Sequence, residues 1–315
     1  MPEVVQGQAR IVAVRACSCC TASTLSRQER PAGRTTDALD QENGSPVMAD
    51  SAAMRESPAL IESRRFGTRT IPILRPLGWL AAGWRDFMRC PGPGLLHGLL
   101  LAAFGAALIA GARQQFWLLA GAFSGFLLVA PVLATGLYAI SRSLERNGHA
   151  DLTTALRAWR PRDGRLVLFG VLLAFAGTGW VMTSASLITG FAGAPVRNPQ
   201  EFLQVVVLAD QGLLFESWLA LGGVLAAPVF ASSVVAIPML LDREIGVLGA
   251  VLTSWRVVMA NPLALALWAG LLMALTLLGM ATLMLGLIVI VPWLGHASWH
   301  AYRDLVDTAG LTARP

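Results

Sequence analysis

Apolar positions along this chain gather into long uninterrupted runs separated by short polar stretches. The runs Leu95–Ala112, Phe116–Ile140, Leu166–Ile188 and Trp218–Leu241 approach the roughly 20 residues a helix needs to cross about 30 Å of hydrocarbon. A last region, Leu263–Leu294, holds 32 residues without a charge. As one helix, at about 1.5 Å per residue, it would be about 48 Å long, too long for one upright span and short for two. The pattern predicts two helices there, Leu263–Leu278 and Met280–Tyr302, with a tight turn near Gly279.

Three short segments with a different periodicity precede these runs. Leu77, Leu152 and Leu248 each stand seven residues before a Trp-Arg pair, Trp84-Arg85, Trp159-Arg160 and Trp255-Arg256, and no other Trp of the ten is followed by Arg. A recurrence of this kind reads as an internal repeat. In the second copy Leu152, Ala155, Leu156 and Trp159 share one helical face while Asp151, Thr154 and Arg157 face away; in the third Ile245, Leu248, Leu252 and Trp255 share one. These are expected to be amphipathic helices lying in the membrane interface, with Trp at the headgroup boundary and Arg reaching lipid phosphate. The candidate lipid-interface residues are therefore Trp84, Arg85, Trp159, Arg160, Trp255 and Arg256.

The repeat extends to the other end of each unit. Pro131-Val-Leu133 is followed by Arg142 and Leu144, and Pro292-Trp-Leu294 by Arg303 and Leu305 at the same offsets; the middle copy keeps Pro238-Met-Leu240. The expected fold is all-α, a polytopic membrane bundle of six transmembrane helices in three hairpins, each preceded by an interfacial amphipathic helix. The middle hairpin carries an extra segment, about 189–217, between its arms.

Charge sets the orientation. Arg142, Arg146, Arg157, Arg160, Arg162 and Arg165 crowd the loop after the second run, whereas the linker after the first holds only Arg113 and the loop after the third only Arg197, against Glu201, Asp210 and Glu216. Arg marks the cytoplasmic side, which predicts an inner-membrane protein with both termini cytoplasmic. At 55% hydrophobic and 14% charged residues, the chain is far from the roughly 25% charged average of soluble domains. All 24 basic residues are Arg, and the net charge of +5 points to membrane lipids with anionic headgroups as partners, with a membrane protein partner or a homo-oligomer as further candidates. No nucleic-acid-binding signature accompanies the Arg residues, so nucleic acid is not an expected partner.

Residues 1–70 have the polar, aperiodic composition of a disordered extension, and Met48 and Met54 are alternative starts. The apolar run Ile11–Val14 is too short for a signal-peptide core. Cys17, Cys19 and Cys20 lack a fourth ligand at a metal-binding spacing. The domain expectation is an extension over 1–70, a membrane domain over 71–306 and a flexible tail over 307–315.

Candidate chemistry is sparse. His97 lies just inside the first run, and His296 and His300 sit one turn apart near the end of the last, on one face as paired ligands would be. They are the candidate cofactor-binding residues for a haem or a metal, although no catalytic residue, metal ligand or cofactor is predicted. Tyr302, Arg303 and Asp304 are expected to form a local ion-paired cap. No carboxylate or Cys is evident beside the three His. Nor does the chain show a Ser/His/Asp set, a phosphate loop or an HExxH motif, so an enzyme is not the expectation.

The stretch Pro76–Phe87, the segment Gly125–Tyr138 and the ending Pro292–Leu305 together resemble a bacterial family of predicted integral membrane proteins of unknown function, over about residues 70–306. Members are sometimes labelled cytochrome c oxidase subunit I-like, a label that four His in the whole chain do not support. The resemblance implies an inner-membrane location and no known activity. The expected function is structural, lipid-interacting or partner-binding; the alternatives are a haem- or metal-binding redox or assembly protein using His97, His296 and His300, and a small-solute carrier.

Overall fold

A computed structural model describes residues 57–111, 134–158, 164–209, 212–309 and 311. In chain order the helices are α1 Pro58–Arg64, α2 Arg75–Arg89, α3 Pro91–Gly111, a helical stretch α4 over 134–147, α5 Leu152–Ala158, α6 Arg165–Phe191, α7 Pro199–Phe202, α8 Leu214–Ser233, α9 Ala236–Asp242, α10 Val247–Ala260, α11 Pro262–Ala281 and α12 Leu287–Leu305. A single π-helical turn, Leu203–Val207, follows α7. Two residue pairs, Gly67–Thr68 (β1) and Val306–Asp307 (β2), form a short antiparallel ladder with Gly67 opposite Asp307.

Pro91 and Pro262 explain two of the helix boundaries. Proline disfavours helical backbone in the residue before it and is well placed in the first turn of a new helix. Cys90 (φ −139°, ψ 64°) and Asn261 (φ −136°, ψ 50°) accordingly break the chain between α2 and α3 and between α10 and α11 in nearly the same conformation. Both prolines stand seven residues after the Trp of the Trp-Arg pair. An interfacial-type helix, a one-residue break and a long apolar helix thus recur with one geometry.

Among the described residues four segments are long and apolar enough to cross a membrane: Pro91–Leu108, Arg165–Phe191, Leu214–Asp242 and Pro262–Ala281. The second apolar run of the sequence, Phe116–Ile140, falls mostly outside the described residues. The charge-free region at 263–294 does form two helices, but the reversal lies at Thr282–Gly286, a few residues later than the expected turn at Gly279. There Leu283 (φ 54°) and Met284 (φ 69°) take left-handed backbone, a conformation that costs a bulky residue about 1–2 kcal/mol. Gly279 instead faces Gly286 and Leu287 across the turn, so it serves hairpin packing rather than the reversal. The fourth span is two helices: α8 ends at Ser233 and α9 begins at Ala236, which places Pro238 in the first turn of α9, where a missing N–H leaves no helical bond unmade.

Packing concentrates at one end of the helices. No more than 33% of any span is buried, while the core cluster draws on Trp79 from α2, Met239 and Leu240 from α9, Trp268 from α11, and Trp299 and Tyr302 from α12. Trp79 and Trp268 meet edge to face with ring centres 5.4 Å apart, a favoured aromatic geometry. α12 lies against α2 and α3, and α10 against α8 and α9. Ile140 and Leu144 of α4 share a smaller cluster with Ala155 of α5. α12 thus packs on α2, α9 on α10 and α4 on α5. Gly98 and Gly83 permit the α12 contacts: a methyl group at 98 would run into the Ile288 carbonyl, and one at 83 into the Ala297 backbone.

Two domain boundaries read from the sequence are corrected. Within the supposed extension, residues 57–70 are built into the fold: Ser57 caps α1, Glu62 accepts from Gly246 N at 2.9 Å, and Phe66 joins the core. Leu311, in the supposed flexible tail, packs against the core and accepts from Arg243 at 2.6 Å through its carbonyl. Residues 1–56, with Cys17, Cys19 and Cys20, lie outside the described residues.

Candidate functional site

The last helix organises a polar junction. α12 is apolar from Leu287 to Leu294, and from His296 onward it carries His, Trp, Tyr, Arg and Asp on several faces. Because α12 is surrounded at this end, each of these groups finds a partner on a different element, as buried polar groups must.

At its centre is a chain of four side chains. Ser141 Oγ of α4 lies 2.8 Å from Asp86 Oδ2 of α2 and 2.8 Å from His296 Nδ1 of α12, and His300 Nε2 lies 2.8 Å from the same Asp86 oxygen. The serine hydroxyl has one proton, and it goes to the carboxylate, which can only accept. His296 Nδ1 must then be the donor to Ser141, and His300 must donate through Nε2. This leaves His296 Nε2 as a bare acceptor, buried and without a hydrogen-bond partner. Burial pushes the Asp86 carboxyl up, but the hydrogen bonds from His300 and Ser141 and the nearby imidazoles outweigh it and hold the group below the ordinary carboxylate range.

The structure brings the sequence-predicted His residues to one region without making them a ligand set. His97 of α3 donates through Nδ1 to the Pro93 carbonyl at 2.6 Å and is close enough to His296 for their charges to interact. His300 is committed to Asp86. No group of three or more His, Cys, Asp or Glu among the described residues is arranged to hold a metal ion. The expectation that no carboxylate stands beside the His is corrected by Asp86, which the sequence places eleven residues before His97 and the α2–α12 contact delivers. Its signal was an acidic residue following Trp84-Arg85, at a position that turns inward.

The expected local cap at Tyr302, Arg303 and Asp304 is also corrected, because each residue bonds to a distant element. Tyr302 donates to Asp242 Oδ2 at 2.9 Å, Arg303 pairs with Glu145 at 2.9 Å, and Asp304 takes Arg75 Nε and, at 2.7 Å, Trp79 Nε1. Asp242, at the end of α9, is fully buried. It accepts from Arg146 at 2.9 Å, from Arg243 at 3.1 Å and from Tyr302; that number of charge-assisted bonds is what a buried carboxylate needs to offset its desolvation. Part of the Arg-rich loop therefore points into the protein.

The Trp-Arg pairs divide into rings that face out and guanidiniums with different tasks. Trp84 and Trp255 are each 39% exposed, and Leu77, Leu152 and Leu248 are exposed as well. The inner face of α10 is instead made by Gly249, Ala250, Thr253, Ser254 and Val257. The shared Leu and Trp positions thus present apolar surface outward, whereas Ile245, read with them as one face, is in the core. Trp84 stacks edge to face on Trp293 at 5.3 Å, and Trp255 donates to Ser232 at 2.9 Å. Arg85 is exposed. Arg256 turns inward, donating to the Ser63 carbonyl at 2.7 Å and the Phe66 carbonyl at 3.3 Å, and so caps α1. Trp159 and Arg160 lie outside the described residues.

Residues 118–242, from the second apolar run to the end of α9, match a family described as predicted integral membrane protein (DUF2189). The resemblance read from the sequence is thereby shown, over a shorter stretch than 70–306. No curated protein and no solved structure matches the chain.

Proposed function

We propose that this is a multi-pass inner-membrane protein of six spans in three hairpins, with cytoplasmic termini and no catalytic role, whose interfacial helices engage the lipid of the cytoplasmic leaflet. One observation carries this reading: the Leu and Trp that recur along the chain are outward-facing apolar side chains at Leu77 and Trp84 and again at Leu248 and Trp255, at the headgroup end of the long apolar helices that follow. The matched break and proline after each of these helices, and the pairing of α12 with α2 and of α9 with α10, support an internal repeat. His97, His296 and His300 in this reading dock helices and bind no haem or metal.

Reporter fusions after Arg146, Arg256 and Arg303 should all read cytoplasmic, and one near Asn198 periplasmic; a periplasmic signal at Arg303 would reduce the count of spans to five. For the lipid contact, tryptophan fluorescence of the protein in nanodiscs should be quenched by lipid brominated near the headgroup. The quenchable fraction should fall in Trp84→Phe and Trp255→Phe. If neither substitution changes it, the rings do not face lipid and the reading fails.

A further inference from the structure

An open groove of about 1150 Å3 lies between α1, α6, α8 and α10. That is at or above the upper end of the roughly 300–1,000 Å3 of small-molecule sites. Its walls are apolar, with Leu168, Leu172 and Ala176 along α6 and Pro228 and Val229 on α8. Arg165, the first residue of α6, and Arg65, the residue after α1, line it where both helices meet the Ile245–Gly246 peptide, which Arg165 bonds at the Ile245 carbonyl and Glu62, one turn before Arg65, at the Gly246 N–H. Along α6 the wall from Arg165 to Ala176 is about 16 Å long at about 1.5 Å per residue, close to half of the roughly 30 Å hydrocarbon thickness. The groove therefore has the depth of one leaflet and its cationic end at the level of the headgroups.

We propose that this groove binds one anionic phospholipid of the cytoplasmic leaflet. Its headgroup phosphate meets Arg65 and Arg165, and an acyl chain runs down α6 past Leu168 and Leu172 to Ala176. The proposal rests on the reading that α6 enters the membrane from the cytoplasmic face. Arg165 Nη1 donates to the Ile245 carbonyl at 2.6 Å, which fixes the guanidinium at the mouth; its planar fork of five N–H groups serves a carbonyl and a phosphate together. The one carboxylate in the lining, Glu62, is engaged by the N-terminal end of α10. Its Oε1 accepts from Gly246 N at 2.9 Å, and its Oε2 lies over Gly249 in the first turn of α10, where the helix dipole favours a negative charge. Charge and depth select a lipid over a protein segment: a peptide would have to place its backbone in hydrocarbon, where unpaired N–H and C=O groups are costly.

The test uses the full-length protein purified in mild detergent, with palmitoyl-oleoyl phosphatidylglycerol and, separately, phosphatidylcholine as probes and native mass spectrometry as the readout. The wild type should retain one phosphatidylglycerol in preference to phosphatidylcholine. Arg65→Gln should cut that preference roughly fivefold, the equivalent of about 1 kcal/mol for one Arg near an anionic surface. Ala176→Phe, at an exposed position where a ring fills the groove without disturbing the core, should abolish retention of the tight lipid while monodispersity and melting temperature stay unchanged. Equal retention of both lipids in wild type, or undiminished retention in Ala176→Phe, overturns the proposal; so does a change of oligomeric mass in Ala176→Phe, which would make the groove a protein interface. Failure of the wild type to retain phosphatidylglycerol, with intact quenching at Trp84 and Trp255, would sink this proposal alone and leave the interfacial reading standing.

Discussion

His300 on the last helix donates to the Asp86 carboxylate on the first interfacial helix at 2.8 Å across 214 residues of sequence, and Ser141 brings a third element to the same oxygen. Hydrogen bonds to charged groups contribute about 1.5–3 kcal/mol each. Asp86→Asn should therefore destabilise the protein by about 2 kcal/mol, lowering the melting temperature in detergent by roughly 4–8 °C on the usual scaling for domains of this size. His300→Gln should cost a similar amount. The double variant should cost clearly less than the sum, because the two residues are in contact; strict additivity would mean they do not interact.

Acid should release this junction. The Asp86 carboxyl is held below its ordinary value, as is that of Asp304, where burial is outweighed by the hydrogen bonds from Arg75 and Trp79. A group with a depressed folded-state pKa contributes stability that is present above the unfolded value of about 3.9 and disappears as pH falls through the folded value. Melting temperature should thus be insensitive to these two groups between about pH 5 and 7 and drop below about pH 4. The drop should be shallower in Asp86→Asn. A wild-type curve flat down to pH 3 would contradict the assignment.

Two glycines of α2 make a controlled pair. Gly83 lies against the Ala297 backbone and Gly78 has open space where its side chain would be. Gly83→Ala should force α2 away from α12 at a cost of about 1–3 kcal/mol. Gly78→Ala should be neutral or stabilising by up to about 1 kcal/mol through helix propensity. Thermal melts of the two variants settle the comparison, and equal effects would mean that the α2–α12 contact is looser than described.

The two Trp-Arg arginines should separate by phenotype. Arg256→Gln removes the bonds to Ser63 and Phe66, so α1 should loosen and trypsin should cut faster at Arg64 and Arg65. Arg85→Gln should leave proteolysis unchanged. Protection of α1 in Arg256→Gln equal to that of the wild type would show that Gly246 and Glu62 alone hold it.

Deleting residues 1–47 should leave expression and melting temperature unchanged, since the contacts described for α1 are made with α10. Deleting residues 1–66 should destabilise the protein, because Glu62, Ser63 and Phe66 go with it. Membrane insertion assays and melts on both truncations test this, and equal behaviour would put α1 back among dispensable residues.

What the sequence revealed and what it hid divide along a physical line. Four of the expected spans, the helix pair at 263–294 and the outward Leu and Trp positions were legible because long apolar runs and their period are properties of composition, readable within one segment. Asp86, Asp242 and Arg256 were not, because a charged residue near a membrane end has the same local signature whether it faces water, phosphate or a partner helix. Only contacts such as α2 with α12 decide between them. α1 had a local signal, Ser57 before Pro58 at a helix start, hidden in a polar stretch whose overall composition argued for disorder.

The ladder of Gly67–Thr68 with Val306–Asp307 has a consequence for biogenesis. The strand that leads into α2 pairs with residues made much later, Gly67 with Asp307, and Asp86 waits for His300 as well. At about 5–20 residues per second, a ribosome needs roughly 10–40 s to cover that interval. During that time the Asp86 carboxylate of α2 lacks its His300 partner and α2 lacks the helix it packs on. Products stalled before α12 therefore lack the closing element and should be preferred substrates for membrane quality-control proteolysis, whereas a chain that has gained α12 closes on itself.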